Sequence, residues 1–235
     1  MDLKGKNIIV TGGSLGIGKE TAKKLLDKGA NVLIIGRSLD RLKESFSNSK
    51  ANLLSFDIGD IENIVVNAKK SLNFLDNRVD VLINNAGIGV SKSIEDLEYA
   101  DFIDVFNVNV FGLSLFTKEV IPLMKRQQYG TIINIGSTAS LKGYKNGSIY
   151  ASSKFAVRCL TQCWQAELRP YNIRVCQINP SEVTTAFGNK ERIERENIPN
   201  KLSSSEISHA IISAIEMDNR GFINELNVWA TNPFD

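Results

Sequence analysis

The sequence predicts a doubly wound α/β domain, a mostly parallel sheet of seven strands with helices on both faces. Three observations carry that expectation. Seven short apolar runs bounded by turn residues recur along the chain, and the segments between them have helical period. The runs are near-continuous in Ile and Val rather than alternating with polar residues, which is the pattern of strands buried on both faces of a parallel sheet. The third observation is size: 235 residues with 43% apolar content suffice for one full core, so one domain over 1–235 is expected.

The expected strands are NIIVT (7–11), NVLIIG (31–36), NLLSF (52–56), VDVLIN (79–84), GTIINIG (130–136), IRVCQIN (173–179) and GFINELNV (221–228). The first runs into TGGSLGIG and a helix that begins near Ile17. The longest helical segment spans about Tyr99 to Gln127, with Phe102, Val105, Phe106, Leu113, Phe116 and Val120 on its apolar stripe. Asn109 falls on that same stripe, where an amide must find hydrogen-bond partners or cost of order 1–3 kcal/mol. It reads either as a satisfied core asparagine or as a polar group holding a water or a backbone inside a site. Residues 180–202 form a polar, charged stretch after the sixth strand, expected to be a surface loop and a substrate lid.

Composition narrows the function. A net charge of +2 with scattered basic residues gives no electrostatic footprint for nucleic acid or anionic lipid, and directs attention to small-molecule partners. Cys159, Cys163 and Cys176 form no C-x-x-C pair and no disulfide framework, as in a reducing compartment. No leader pattern and no stretch of 18 apolar residues stands out, so a soluble, cytoplasmic protein is expected. The single histidine, His209, has no G-x-S-x-G partner motif, and no His and Cys cluster has metal-ligand spacing, so neither a serine hydrolase nor a metal site is expected.

Four motifs carry chemistry. Gly12, Gly16 and Gly18, in the order G-x-x-x-G-x-G between a strand and a helix, allow a tight turn and close approach of a phosphate to main-chain N–H groups at a helix N-terminus. The second strand ends in IIGRS, where a dinucleotide fold reads the adenosine ribose. No acid stands there to take a 2′-hydroxyl, and Arg37 offers a fork to a 2′-phosphate, which favours NADP(H) while leaving NAD(H) open. The fourth and fifth strands run into NNAG (84–87) and GSTAS, placing Asn85, Gly87 and Ser137 at the carboxyl edge where open α/β sheets bind ligands. YASSK (150–154) then sets Tyr150 and Lys154 on one side of a helical turn. A phenol has an ordinary pKa of about 10, and a neighbouring ammonium would favour its phenolate.

Together with FDIGD (56–60), NVFG (109–112) and NPSEVTT (179–185), these pieces appear in the order of the classical short-chain dehydrogenase/reductase family, which the chain resembles over nearly its whole length. The resemblance implies a Rossmann-like fold, an NAD(P)-dependent oxidoreductase and a catalytic set of Asn109, Ser137, Tyr150 and Lys154. It implies that Tyr150 exchanges a proton with the substrate oxygen, that Lys154 lowers its pKa and holds the nicotinamide ribose, and that Ser137 binds the substrate carbonyl. Asn109 would complete a proton relay through a water. Gly12, Ser14, Leu15, Gly16, Ile17 and Gly18 would line the pyrophosphate turn, Arg37 the ribose phosphate, Asp57 and Ile58 the adenine, Asn85 and Gly87 the adenosine and ribose wall, and Val183 and Thr185 the carboxamide. Ser140, Tyr144 and Phe187 are expected in the substrate pocket.

The substrate class implied is a carbonyl compound. The chain is similar to reductases of 3-oxoacyl groups on acyl carrier protein, and a ketone, aldehyde or pterin carbonyl reductase, or an NAD-dependent alcohol dehydrogenase, fits the same residues. A non-catalytic dinucleotide sensor on the same fold is the reading from another class. A homodimer or homotetramer built on helices 99–127 and 150–169 is implied as well. Two positions depart from the family pattern: Ser181 and Glu182 follow Pro180 where Pro-Gly is usual, and Leu15 stands where many NADP-using relatives carry a second basic residue.

Overall fold

The computed structural model describes residues 1–189 and 191–234. Its seven strands are β1 (Asn7–Thr11), β2 (Asn31–Gly36), β3 (Asn52–Ser55), β4 (Val81–Asn84), β5 (Gly130–Ile135), β6 (Ile173–Pro180) and β7 (Glu225–Val228). They form one sheet in the order β3-β2-β1-β4-β5-β6-β7, with every neighbouring pair parallel. Seven α-helices connect them: α1 (Gly16–Asp27), α2 (Leu39–Ser45), α3 (Ile64–Asn73), α4 (Tyr99–Phe106), α5 (Leu113–Gln127), α6 (Ser148–Leu168) and α7 (Ser204–Glu216).

The period of two in a strand explains why the runs read as continuous apolar sequence. Ile8 and Val10 of β1 join Val32 and Ile34 of β2 in a core beneath α1, α2 and α7, with Ala22, Leu25, Leu42 and Ile211. The intervening Ile9, Leu33 and Ile35 face the opposite core, built with Ile64, Ala68, Phe116, Val120 and Met124 of α3 and α5. The chain reverses its direction of strand addition between β1 and β4. That is the switch point at which loops leaving adjacent strands diverge and open a crevice.

The expected strand bounds shift by one residue at the ends of β5, which stops at Ile135, and β6, which runs to Pro180, and at three further places. β4 starts at Val81 because Asp80 is an anchor for the strand edge: its buried carboxylate accepts from Asn7 N at 2.8 Å and pairs with Arg78 at 3.1 Å and Lys6 at 3.6 Å. β3 stops at Ser55, whose hydroxyl donates to Arg37 O, and β7 starts only at Glu225, once Gln177 N has bonded Asn224 O.

The expected single helix over 99–127 is continuous in path but not in winding. Residues Asn107–Gly112 form a π-helical turn between α4 and α5. Gly112 lies so close to Ile58 that an added Cβ would stand 1.9 Å from the Ile58 carbonyl oxygen, so the wider turn is fitted around that approach. By length and mean hydropathy the 99–127 segment would suffice to cross a membrane. Its fully buried Phe116, Val120 and Met124 are instead part of the second core.

A seam of buried amides and hydroxyls crosses the carboxyl half of the sheet. Asn84 Nδ2 donates to Thr117 Oγ1 and to Asn134 Oδ1, both at 2.9 Å, and Asn134 Nδ2 donates to Thr161 Oγ1 at 2.9 Å. Gln177 Nε2 donates to Asn179 Oδ1 at 2.7 Å, and Asn179 Nδ2 reaches Glu225 Oε1 and Asn227 Oδ1. Thr161 Oγ1 joins the two halves by donating to Gln177 Oε1 at 3.1 Å, so amides, hydroxyls and one carboxylate together fix the ends of β4 to β7 relative to one another.

Candidate active site

Four strand ends converge on one crevice of about 800 Å³. The turn after β1 forms its floor. Gly12 and Gly16 take φ of 65° and 53°, in the left-handed region that a side chain disfavours. A Cβ on Gly12 would meet Ala86 Cα at 2.7 Å, and one on Gly18 would meet Asn85 Nδ2 at 2.4 Å. Asn85 is the tie between the two loops: its Nδ2 donates to Thr11 O and Gly12 O at 3.0 Å, while Thr11 Oγ1 accepts from Asn85 N and Ala86 N at 3.1 Å.

Whereas α2 and α7 begin with serine caps, α1 begins at Leu15 with no side-chain cap. Its leading N–H groups are therefore available to an anion. Gly16 N donates to Glu194 Oε1 at 2.7 Å, so a carboxylate of the loop after β6 already stands at this helix end. The glycine cradle and the uncapped helix fit the pyrophosphate of a dinucleotide.

A smaller hollow continues from the crevice towards the adenosine side, lined by Ser14, Leu15, Arg37, Asp57, Ile58 and Gly87 among others. Asp57 Oδ1 accepts from Gly59 N at 2.8 Å, and its Oδ2 stands 3.8 Å from the Arg37 guanidinium. Gly12, Leu15, Gly16, Ile17, Asn85, Gly87, Val183 and Thr185 line the main crevice; Gly18 lies beneath it, where its missing side chain lets α1 approach the loop after β4.

The other half of the crevice holds the expected chemistry. Ser137 follows β5 and caps a short 3-10 turn, accepting from Ala139 N at 3.1 Å. Its own N–H donates to Ser140 Oγ and to Asn179 Oδ1, each at 3.2 Å, so the amide seam sets its position. Ser140 was expected in the pocket; it is fully buried beneath Ser137 and acts as its support. Tyr144, Tyr150, Lys154 and Phe187 line the crevice as expected, with the Tyr150 and Phe187 rings 5.5 Å apart.

Lys154 is buried, and its Nζ donates to Ile135 O at 2.8 Å and lies 5.8 Å from the Tyr150 ring centroid. Burial brings its pKa down to about 8. The Tyr150 phenol was expected to be lowered by this ammonium. Burial instead pushes it up to about 12, opposed by the hydrogen bond with Ser137 and reinforced by Tyr144. The phenol thus keeps its proton at neutral pH, the state a proton donor requires.

Asn109 sits in the π-helical turn, 1% exposed. Its Oδ1 accepts from Ile88 N and its Nδ2 donates to Ile88 O, both at 2.9 Å, with a further bond to Ser153 Oγ at 3.0 Å. The amide clamps the loop after β4 to α6, and Gly87 lies between it and Lys154 Nζ. Ser181 causes no break in the path beside the crevice: its backbone is not left-handed, and its N–H donates to Val228 O at 2.8 Å, extending the β6–β7 pairing.

Arg192, Arg195 and Trp229 also line the crevice and were not expected there. Trp229 was within reach of inference, since it follows the last residue of β7 on the ligand-binding edge. Arg195 belongs to the loop after β6, where it donates to Thr185 O and Val183 O and ties two parts of that loop together. Val183 and Leu202 pair as an isolated parallel bridge that closes the base of the loop between them, expected as a lid; Lys190 lies outside the described residues. Among the described residues no three His, Cys, Asp or Glu side chains gather as a metal site would require.

The comparisons agree with this arrangement. The model of the short chain dehydrogenase family matches residues 6–196. The chain is 28% identical over 234 residues to an uncharacterized oxidoreductase of Staphylococcus epidermidis, spanning 96% of this chain and 97% of that one. It is 33% identical over 202 residues to the 3-ketodihydrosphingosine reductase of Bos taurus, spanning 80% of this chain and 60% of that protein. Among solved structures, an alcohol dehydrogenase of Thermococcus sibiricus complexed with 5-hydroxy-NADP superposes with a TM-score of 0.88 at 26% identity, covering 97% of each chain. The sheet order, the crevice at its switch point and these likenesses lead to one conclusion: the chain belongs to the short chain dehydrogenase family and is an NAD(P)-dependent oxidoreductase.

Proposed function

We propose that this protein reduces a carbonyl compound (a 3-oxoacyl thioester, ketone or aldehyde carrying apolar substituents) to the alcohol, with NADPH as the preferred cofactor. One observation carries the reading: Ser137, Tyr150 and Lys154 face the same crevice as the glycine turn. When bound there, the nicotinamide supplies the hydride. Ser137 Oγ and the Tyr150 hydroxyl bracket the carbonyl oxygen, which polarises the bond. Tyr150, protonated at neutral pH, passes its proton to that oxygen as negative charge develops. The Lys154 ammonium then stabilises the phenolate, and its depressed pKa of about 8 readies it to return a proton. Asn109 keeps the loop after β4 and α6 in register so that these groups stay aligned, with a relay through water as its further role.

Apolar substituents suit the Tyr144, Phe187 and Trp229 rim and the Val183 and Ala186 wall. The matched 3-ketodihydrosphingosine reductase acts on a ketone by its name, and the matched alcohol dehydrogenase structure carries a derivative of NADP. Exposed Tyr99, Phe111 and Phe155 on and between α4 and α6 support self-association as a homodimer or homotetramer, and the three free cysteines suit the cytoplasm. Absorbance at the NADPH band, followed with a panel of carbonyl compounds, tests the reading. Turnover faster with NADPH than with NADH is expected; cofactor binding without turnover of any carbonyl would favour the sensor reading.

A further inference from the structure

Two guanidinium groups line the hollow at the adenosine end of the crevice, and a third on α2 adds its charge. Arg37 lines the smaller hollow, and Arg192, from the lid, lines that hollow and the main crevice alike. Arg41 on α2 is the third: together with burial, the charges of Arg37 and Arg41 lower the proton affinity of Arg192. Two carboxylates act against this accumulation, Asp57 at 3.8 Å from Arg37 and Glu194, which is engaged by Gly16 N. Three positive charges thus meet two negative ones, one of them held elsewhere.

The decisive feature is the Arg192 Nε, which is buried and has no hydrogen-bond partner. A buried N–H of a charged group left unpaired is costly, and it is retained where a ligand completes it. Its backbone adds to the picture, with φ of 58° in a region where non-glycine residues are uncommon. The glycine turn offers no cation of its own here, because its residue lining the hollow beside Ser14 is Leu15.

We infer that Arg192 is a specificity-determining residue that reaches from the lid and, with Arg37 and Arg41, holds the 2′-phosphate of NADPH. The inference rests on the NADPH preference proposed above. A phosphate monoester presents the three acceptor oxygens that such a cluster lacks, and guanidinium forks match its geometry. The same segment carries Glu194 at the α1 N-terminus, where its carboxylate occupies a donor that the pyrophosphate would take, while Arg192 offers a cation at the ribose.

Fluorescence titration of the purified full chain with NADPH and with NADH tests this, comparing the wild type with Arg192→Ala and Arg192→Lys. Loss of one charge-assisted contact to the phosphate is expected to weaken NADPH about ten- to one-hundredfold in Arg192→Ala, with NADH changed less than about twofold. Arg192→Lys should recover part of the NADPH affinity, and added salt should narrow the difference between cofactors. If the wild type binds both cofactors equally, the NADPH preference itself fails and the inference with it. If the wild type prefers NADPH and Arg192→Ala keeps the same ratio, the preference stands and the inference is overturned. Equal weakening of both cofactors would also overturn it, by assigning Arg192 to the shared pyrophosphate or to the fold of the lid.

Discussion

The wall of the crevice that holds Ser137, Tyr150 and Lys154 differs in construction from the lid that faces it. The wall is made of regular elements: β5 ends one residue before Gly136, α6 carries the tyrosine and lysine on one side, and the buried amide seam fixes Ser137 through Asn179. The loop that faces it, from Ser181 to Ser203, has no helix or strand among its described residues and is held by Arg195, the Lys201 to Glu182 ion pair and one isolated bridge. The groups assigned to proton transfer thus sit on regular elements, and the arginine proposed to read the cofactor phosphate sits on an irregular loop. Rigid elements position reacting atoms to within fractions of an ångström, whereas a mobile cover can exchange partners as ligands enter.

Disturbing the wall should do the most damage. Removing the Tyr150 hydroxyl by Tyr150→Phe is expected to lower kcat about 10²- to 10⁴-fold, measured as steady-state NADPH oxidation. Gly12→Ala strikes the floor: a left-handed backbone and a Cβ 2.7 Å from Ala86 Cα combine to cost roughly 2–5 kcal/mol of stability in urea unfolding. Gly143→Ala, with nothing within 4 Å of its added methyl, is the matched control and should change stability by no more than about 0.5 kcal/mol.

A subtler effect follows from Lys154. Its pKa falls to about 8 in the folded chain from an ordinary 10.5, so between these values the unfolded chain binds more protons than the folded one. Stability therefore gains a rising contribution with pH across that window, since the buried cation is unfavourable below it and neutral above it. The difference in unfolding free energy between wild type and Lys154→Met should shift in favour of the wild type from pH 8 to 10.5; a flat difference would contradict the depressed pKa.

On the lid, the smallest change is expected. Glu194→Gln removes the carboxylate at Gly16 N and should tighten cofactor binding about two- to fivefold, the scale of one charge at a helix N-terminus. Weaker binding in that variant would mean that Glu194 supports the site instead of competing for it.

The same contrast separates what the sequence discloses from what it does not. The strands were legible because burial on both faces leaves runs of Ile and Val, and β1 and β2 fall at the expected bounds. Gly12, Ser137, Tyr150 and Lys154 were legible because each lies at a strand end or a helical spacing, so that local pattern implies place. The π-helical turn was hidden, since the apolar stripe runs through it and only the approach of Gly112 to Ile58 demands it. Ser140 and Ser137 have the same chemistry three positions apart, and only the 3-10 turn decides that one is exposed to the crevice and the other supports it. The direction of the Tyr150 shift was hidden too, because proximity to Lys154 in sequence carries no measure of how deeply both groups are buried. In the lid no period exists to convert sequence into position, and nothing local separates Arg192 from Arg195.

Binding and turnover measured together on Tyr150→Phe test the central claim most directly, since they part the cofactor crevice from the acid it holds. NADPH is expected to bind this variant with a Kd within about twofold of the wild type while kcat for a reducible carbonyl falls by at least about a hundredfold. Turnover preserved at the wild-type rate would contradict the assignment of Tyr150 as the proton donor.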